Sequence, residues 1–212
     1  MSEILQSALP GGETPPDPAY TRTRILRTAA RLFRTRGYRG TTIRAISEQV
    51  GILSGSLFHH FSSKEQMLVE IMRNAAQSLC IRAEEEVAAS SNPRERLQRL
   101  IRLQLDCLLG EDTRDFYSVL VSEWRELNQS AKPPLTVLRR RYFAVWQDVL
   151  LQCRRAGLLR TDPVATQFAL HGAINWTNTW LRSSGRLSRE EYAALLEQLV
   201  LERGPGQARR AL

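Results

Sequence analysis

Nowhere in the chain do about 18 apolar residues follow one another, which excludes a membrane-spanning helix. No basic N-terminal segment leads into an apolar stretch, so no secretory signal is expected. Cysteine is scarce. Cys80, Cys107 and Cys153 stand far apart and are odd in number, which argues against a disulfide framework and for buried thiols in a cytoplasmic protein. Catalytic signatures are missing: there is no glycine-rich phosphate loop, no His-Glu-x-x-His and no pair of cysteines. The run GILSG at 51–55 approaches a nucleophile elbow, but its spacing is wrong and no strand precedes it. The histidines are His59, His60 and His171, and none has a nucleophile in register. Neighbours on a helix, such as His59 and His60, project about 100° apart and do not converge on one ion. No enzyme, no metal site and no cofactor are expected. No useful length alternates with period two, so no sheet is expected either.

What is present is a chain of 212 residues, 42% apolar and 25% charged, with enough carbon to bury a core. Its formal charge of +8 is unevenly placed. Residues 20–64 hold nine basic groups (Arg22, Arg24, Arg27, Arg31, Arg34, Arg36, Arg39, Arg44 and Lys64) against one acid, Glu48, and the rest sums to zero. Scattered arginines usually form a solvated face. The whole net charge within one short segment points instead to a polyanion-binding module joined to a neutral body. Arg22, Arg24 and Arg27 crowd the first turns of a helix, where cations oppose the macrodipole, and a nearby phosphate backbone would explain them.

The periodicity is helical throughout. Ile25, Ala29, Leu32 and Phe33 make one apolar stripe between Thr21 and Arg36, and Gly37 ends it. Thr42 caps a short helix that Gly51 breaks, and Ser54 caps a third running to His60. Ser63 and Gln66 form a capping box for a long helix. Asn92 with Pro93 and Glu95 opens the next, and Asp112 caps a stretch carrying Phe116, Tyr117 and Trp124. Pro133 and Pro134 open another, Asp162 and Pro163 one that runs to about Arg182, and Ser188 with Glu191 boxes a last helix ending near Gly204. The expectation is an all-α chain of about nine helices. It divides into a disordered leader over 1–19, a helix-turn-helix module over 20–66, a helical body over 67–203 and a flexible tail over 204–212.

Residues 42–60 form a helix, a turn opening at a glycine and a second helix, the geometry that places a helix in the DNA major groove. An ordinary helical corner shares the outline but needs no basic surroundings. The run GTTIRAISEQVGILSGSLFHHFSSKEQML resembles the N-terminal DNA-binding domain of the TetR family of transcriptional regulators. The resemblance rests on the Thr-Thr opening, the glycine after the second helix, the aromatic-His-Phe run and the Ser-Lys-Glu leading a long helix, and covers about residues 20–70. It implies that Thr42 meets a phosphate, Arg44 a base or phosphate, and that Ser54, Gly55 and Ser56 lie in the major groove. Phe58, His59 and His60 would pack on the sugar-phosphate backbone, and Lys64 would hold a phosphate. Phe58 stands where the family usually has tyrosine, which removes one hydrogen bond worth about 1 kcal/mol. A homodimer on a palindromic double-stranded operator follows, because one small module reads too few base pairs alone.

All four tryptophans (Trp124, Trp146, Trp176 and Trp180) lie in the body with Phe116, Tyr142, Phe143 and Phe168, where they line a pocket or simply form core. Gly172 and Ala173 interrupt a helix, and a glycine there costs about 1 kcal/mol, which points to close approach by a second subunit or a ligand. The last two long helices are the expected dimer interface, through Gly172, Ala173, Trp180, Leu195 and Leu199. The stretch HGAINWTNTWLR at 171–182, followed by Gly-Arg-Leu-Ser and an acidic helix, is similar to the C-terminal domain of TetR members that respond to acyl-CoA thioesters. That similarity implies a hydrophobic effector, an acyl-CoA first. Phe116, Trp124, Arg125, Trp146, His171, Asn175 and Trp176 would line its pocket, Trp124 and Trp176 against the acyl chain. Arg125 or Arg139–Arg141 would meet its phosphates, the triplet alternatively forming a solvated helix face. The function expected is a repressor released from DNA by its effector. The alternative is a non-specific architectural DNA binder, which explains the charge but not a neutral, aromatic body.

Overall fold

The computed structural model describes residues 18–159, 161–181 and 185–201. The expected tail, nearly all of the expected leader and the expected helix end near Gly204 lie outside them. Among the described residues there are nine α-helices, one 3-10 turn and no strand: α1 (Pro18–Arg36), α2 (Ile43–Val50), α3 (Ser54–Phe58), α4 (Lys64–Ala88), α5 (Pro93–Leu109), α6 (Arg114–Ser122), the turn Trp124–Glu126, α7 (Lys132–Arg155), α8 (Pro163–Trp180) and α9 (Arg189–Val200). None is long and apolar enough to cross a membrane.

Most ends follow from local chemistry. The Thr42 hydroxyl accepts from the Ala45 amide at 3.1 Å, and Gly51 closes α2 at φ 78°, where a side chain is strained. Asn92 accepts from the Arg94 amide at 2.9 Å and Asp162 from the Ala165 amide at 2.9 Å, each with a proline next in line. Ser188 and Glu191 form a full reciprocal box. Three expectations need correction. Leu53, not Ser54, occupies the cap of α3, which ends at Phe58; the Ser54 hydroxyl pairs with that of Ser47 at 2.8 Å across the α2–α3 corner. The Ser63 half of its box holds, but the Gln66 side chain accepts from the Ser62 amide at 2.6 Å, one residue back. Thr113, not Asp112, precedes α6, because its hydroxyl donates to the Asp106 carbonyl at 3.1 Å and turns the chain; Trp124 falls beyond α6 on the 3-10 turn.

Two cores share helix α4, and α6 and α7 also contribute to both. Ile25, Phe33, Ile46, Leu57 and Phe61 pack with Met67, Leu68, Ile71 and Met72 from the first half of α4. Val119, Leu127 and Leu135, far along the chain, complete that cluster. The second half of α4 contributes Ala75, Leu79, Cys80 and Ala83 to a larger core with α5, α7, α8 and α9. Both cores close on α4; the larger lies wholly beyond position 66, whereas the smaller draws residues from both sides of it.

Candidate DNA interface and effector site

The α2–α3 corner presents an open face. Thr42, Arg44, Gly55, Ser56, Phe58 and His59 are exposed, whereas Ser54 and His60 are half-buried. Nothing lies within 4 Å of a side chain built on Gly55, so the start of α3 admits a close partner. Arg44 is held by Glu48 one turn along at 2.7 Å, a surface pair that releases at little cost. Leu53 stands 79% exposed at the same edge, an apolar group that sequence reasoning passed over; its position before a short polar helix was the available signal. Ser54 is committed to Ser47 and is not a free groove contact.

Lys64 also departs from expectation. Its ammonium donates to the carbonyls of Tyr38 and Thr41, both at 2.8 Å, and lies 4.1 Å from the centre of the Tyr38 ring. Burial lowers its pKa. It fastens the start of α4 to the turn between α1 and α2 rather than standing free.

The arginines of α1 are likewise engaged with protein. Arg22 makes a two-pronged pair with Glu70 of α4 and lies over the Phe61 ring, 4.5 Å from its centre. Arg24 donates to the Val50 carbonyl at 2.7 Å, at the end of α2 where a cation suits the helix dipole. Arg34 pairs with Asp115 on α6, and Arg39 with Glu126 on the 3-10 turn at 2.8 Å. So Arg22 and Arg24 answer to neighbouring helices and not to a phosphate. Arg27, Arg31 and Arg36 are exposed and carry no ion pair among the described residues.

Of the seven residues expected around an effector, the structure brings three together. Trp146, His171 and Asn175 meet in the larger core beside Gln104, Tyr142 and Phe143. Tyr142 donates to Gln104 at 2.9 Å and Gln104 to Asn175 at 2.7 Å, a polar chain between α7, α5 and α8. Gln104 was missed, although a glutamine among Leu100, Ile101, Leu103, Leu105 and Leu108 was a visible signal. The other four lie elsewhere. Phe116 lines an open cleft of about 400 Å³ between α1, α4 and α6, with Arg22, Arg27, Asn74 and Ser78. Trp124 is stacked under Arg139, 4.7 Å from its guanidinium, and Arg125 is exposed. Trp176 is 66% exposed on α8, so Trp124 and Trp176 do not enclose a common acyl tunnel. Arg141 is paired with Glu84 at 2.6 Å.

The expected interface residues are on the surface. Val164, Phe168, Gly172, Trp176 and Trp180 follow at four-residue steps along α8, one exposed face, with Leu195 and Leu199 exposed on α9. Among the described residues, nothing beyond its own helix lies within 4 Å of a Cβ placed on Gly172. Ala173 is half-buried, its carbonyl accepting from the Tyr192 hydroxyl at 3.2 Å. Among the described residues no group of His, Cys, Asp and Glu is arranged to hold a metal.

Known proteins show the same architecture. Residues 25–71 match the family described as bacterial regulatory proteins, tetR family, and residues 90–203 match the tetracyclin repressor-like C-terminal domain. The transcriptional repressor KstR2 of Mycobacterium tuberculosis is 31% identical over 85% of this chain and 90% of its own length. The chain belongs to the TetR family. Its members are DNA-binding transcriptional regulators, and this TetR chain is one, with the α2–α3 corner as its helix-turn-helix. Solved TetR-like structures agree in fold. AibR in complex with isovaleryl coenzyme A and operator DNA superposes with a TM-score of 0.78 at 26% identity, covering 85% of this chain and 97% of that one. The protein described as superantigen pfit gives 0.72 at 36% identity, covering 88% and 92%.

Proposed function

We propose that the chain is a cytoplasmic homodimeric repressor that reads a pseudo-palindromic operator and leaves it on binding an acyl-CoA thioester. The observation that carries the reading is the sharing of α4 between the two cores. Thr42, Arg44, Leu53, Gly55, Ser56, Phe58 and His59 form the DNA face, with Leu53 suited to a thymine methyl. The basic module, taken as residues 20–66, is bolted to α4 by Lys64 and by Arg22–Glu70. Movement of α4 therefore carries α2 and α3 with it. The effector enters the body of residues 67–203 near Trp146, His171 and Asn175, parts α7 and α8 from α5, and presses on α4, which α5, α6 and α7 all contact. AibR, with its acyl-CoA and operator, supports this pairing of ligand and DNA. The assigned residues bind, and none is assigned to catalysis.

The apolar face of α8 and α9 is the proposed dimer contact, since monomers seldom leave such a stripe in water. The test is anisotropy of a labelled operator duplex. Binding should weaken steeply with salt through counterion release, and an acyl-CoA, but not CoA alone, should reverse it. Salt-dependent binding that ignores sequence would favour the architectural alternative.

A further inference from the structure

One imidazole in the body is left unpaired among the described residues. His171 on α8 is 5% exposed, and neither of its ring nitrogens has a hydrogen-bond partner among the described residues. A neutral imidazole carries one N–H and one lone pair, so a donor and an acceptor are both stranded. Burial pushes its pKa down to about 4, which keeps it neutral at pH 7. The rings of Phe143, Trp146 and Tyr142 surround it at 4.7, 4.8 and 5.7 Å between centroids. The Trp146 N–H makes no hydrogen bond of normal geometry, although the Tyr142 hydroxyl lies nearby. That hydroxyl is committed to Gln104, and Gln104 to Asn175. Two donors and one acceptor are left over, inside a ring of aromatic faces, and none of these side chains is charged.

Packing alone does not ask for this arrangement. Native proteins pair their buried polar groups, and leucine or phenylalanine would fill the same space without the penalty. A ligand oxygen supplies a reason. A carbonyl oxygen has two lone pairs and can accept from two N–H donors among apolar walls. A carboxylate would arrive with its charge and meet no cation, a costly burial. We propose that His171 and Trp146 are the specificity contacts of the effector site, holding the neutral carbonyl oxygen of an acyl thioester and excluding both the free acid and a thioether that lacks that oxygen. The proposal rests on the effector reading above and adds to it which atom of the ligand is recognised and by which side chains.

The experiment measures operator release by a straight-chain acyl-CoA series from acetyl to dodecanoyl. Beside the most effective member stand its free acid and the S-alkyl-CoA thioether of equal length. Wild type should need about tenfold more thioether than thioester, the worth of one buried hydrogen bond, and should not respond to the acid. In His171→Leu the thioester-to-thioether ratio should fall to near one, with operator affinity unchanged and Tm unchanged or higher by about 2–4 °C. Trp146→Phe provides a second variant and should reduce the ratio in the same direction. Equal potency of thioester and thioether on wild type, an unaltered ratio in the variants, or a drop in the Tm of His171→Leu would overturn the proposal. Release by the free acid would overturn it while leaving an acyl effector in place. No release by any acyl-CoA would remove the effector reading itself, and this assignment with it.

Discussion

Glu70 is the one buried acidic residue among the described residues, and Arg22 is its main partner. Removing the arginine takes away the close partner of the Glu70 carboxylate and leaves it Arg73, 3.8 Å away. Arg22 is partly exposed, which discounts the loss to about 1–2 kcal/mol. Urea unfolding of Arg22→Ala against wild type should show that loss, and a change of less than a few tenths would contradict the clasp. His171 makes a prediction with pH. Its imidazole is held near 4 in the folded chain against an ordinary 6.5. As pH falls through 6.5 the unfolded chain takes up the proton first, so stability declines between about 6.5 and 4 and levels off below. The window is worth on the order of 3 kcal/mol. His171→Leu should lose that part of the acid sensitivity; unfolding curves for the two proteins at pH 7 and pH 4.5 decide it, and parallel losses would mean that the imidazole is not buried neutral. At this scale the sequence was readable where the partner was local, as with Thr42 and Asn92. It was opaque for Arg22, Arg34 and Arg39, whose partners Glu70, Asp115 and Glu126 lie 48, 81 and 87 positions away.

At the scale of elements, α4 and the α8–α9 pair bear most of the account. Lys64 ties the first turn of α4 to the Tyr38 and Thr41 carbonyls, so Lys64→Ala should lower stability by about 1–2 kcal/mol and weaken operator binding on every sequence alike. Chemical unfolding beside anisotropy on matched and scrambled duplexes checks both halves. Loss of affinity with intact stability would restore the lysine to a direct phosphate contact. Gly172 has open space at its Cβ position among the described residues. Gly172→Leu should therefore leave the protomer folded but disrupt the dimer. Light scattering should report about twice the chain mass for wild type and a smaller species for the variant, and an unchanged mass would move the interface off this face. The helices themselves were legible, because caps and apolar stripes are local. The α3 cap and the start of α6 were not, since Ser54 and Thr113 turn their hydroxyls to Ser47 and to the Asp106 carbonyl. The convergence of Trp146, His171 and Asn175 was legible in part; the separate positions of Trp124 and Trp176 were set by tertiary packing that periodicity does not carry.

For the whole molecule, the concentration of positive charge in residues 20–64 was visible in the sequence, but its distribution in space was not. Four of the nine basic groups pair with carboxylates, three of them from the body, which makes the module part of a continuous mechanical unit with α4 and α6. The charge left toward DNA is correspondingly smaller. The salt slope of operator binding should then reflect the few free arginines and the α2–α3 face, not all nine basic groups. Coupling through α4 is reciprocal: whatever effector weakens DNA binding is itself bound more weakly by the DNA complex. The most direct test of the account is one titration. Operator-bound protein, followed by anisotropy, receives increasing acyl-CoA, with CoA alone as the control. The account predicts full release at saturating acyl-CoA, and an affinity for acyl-CoA that falls by the same factor when operator is present. Operator binding that persists at every acyl-CoA concentration, with the ligand bound equally well to free and DNA-bound protein, would contradict it.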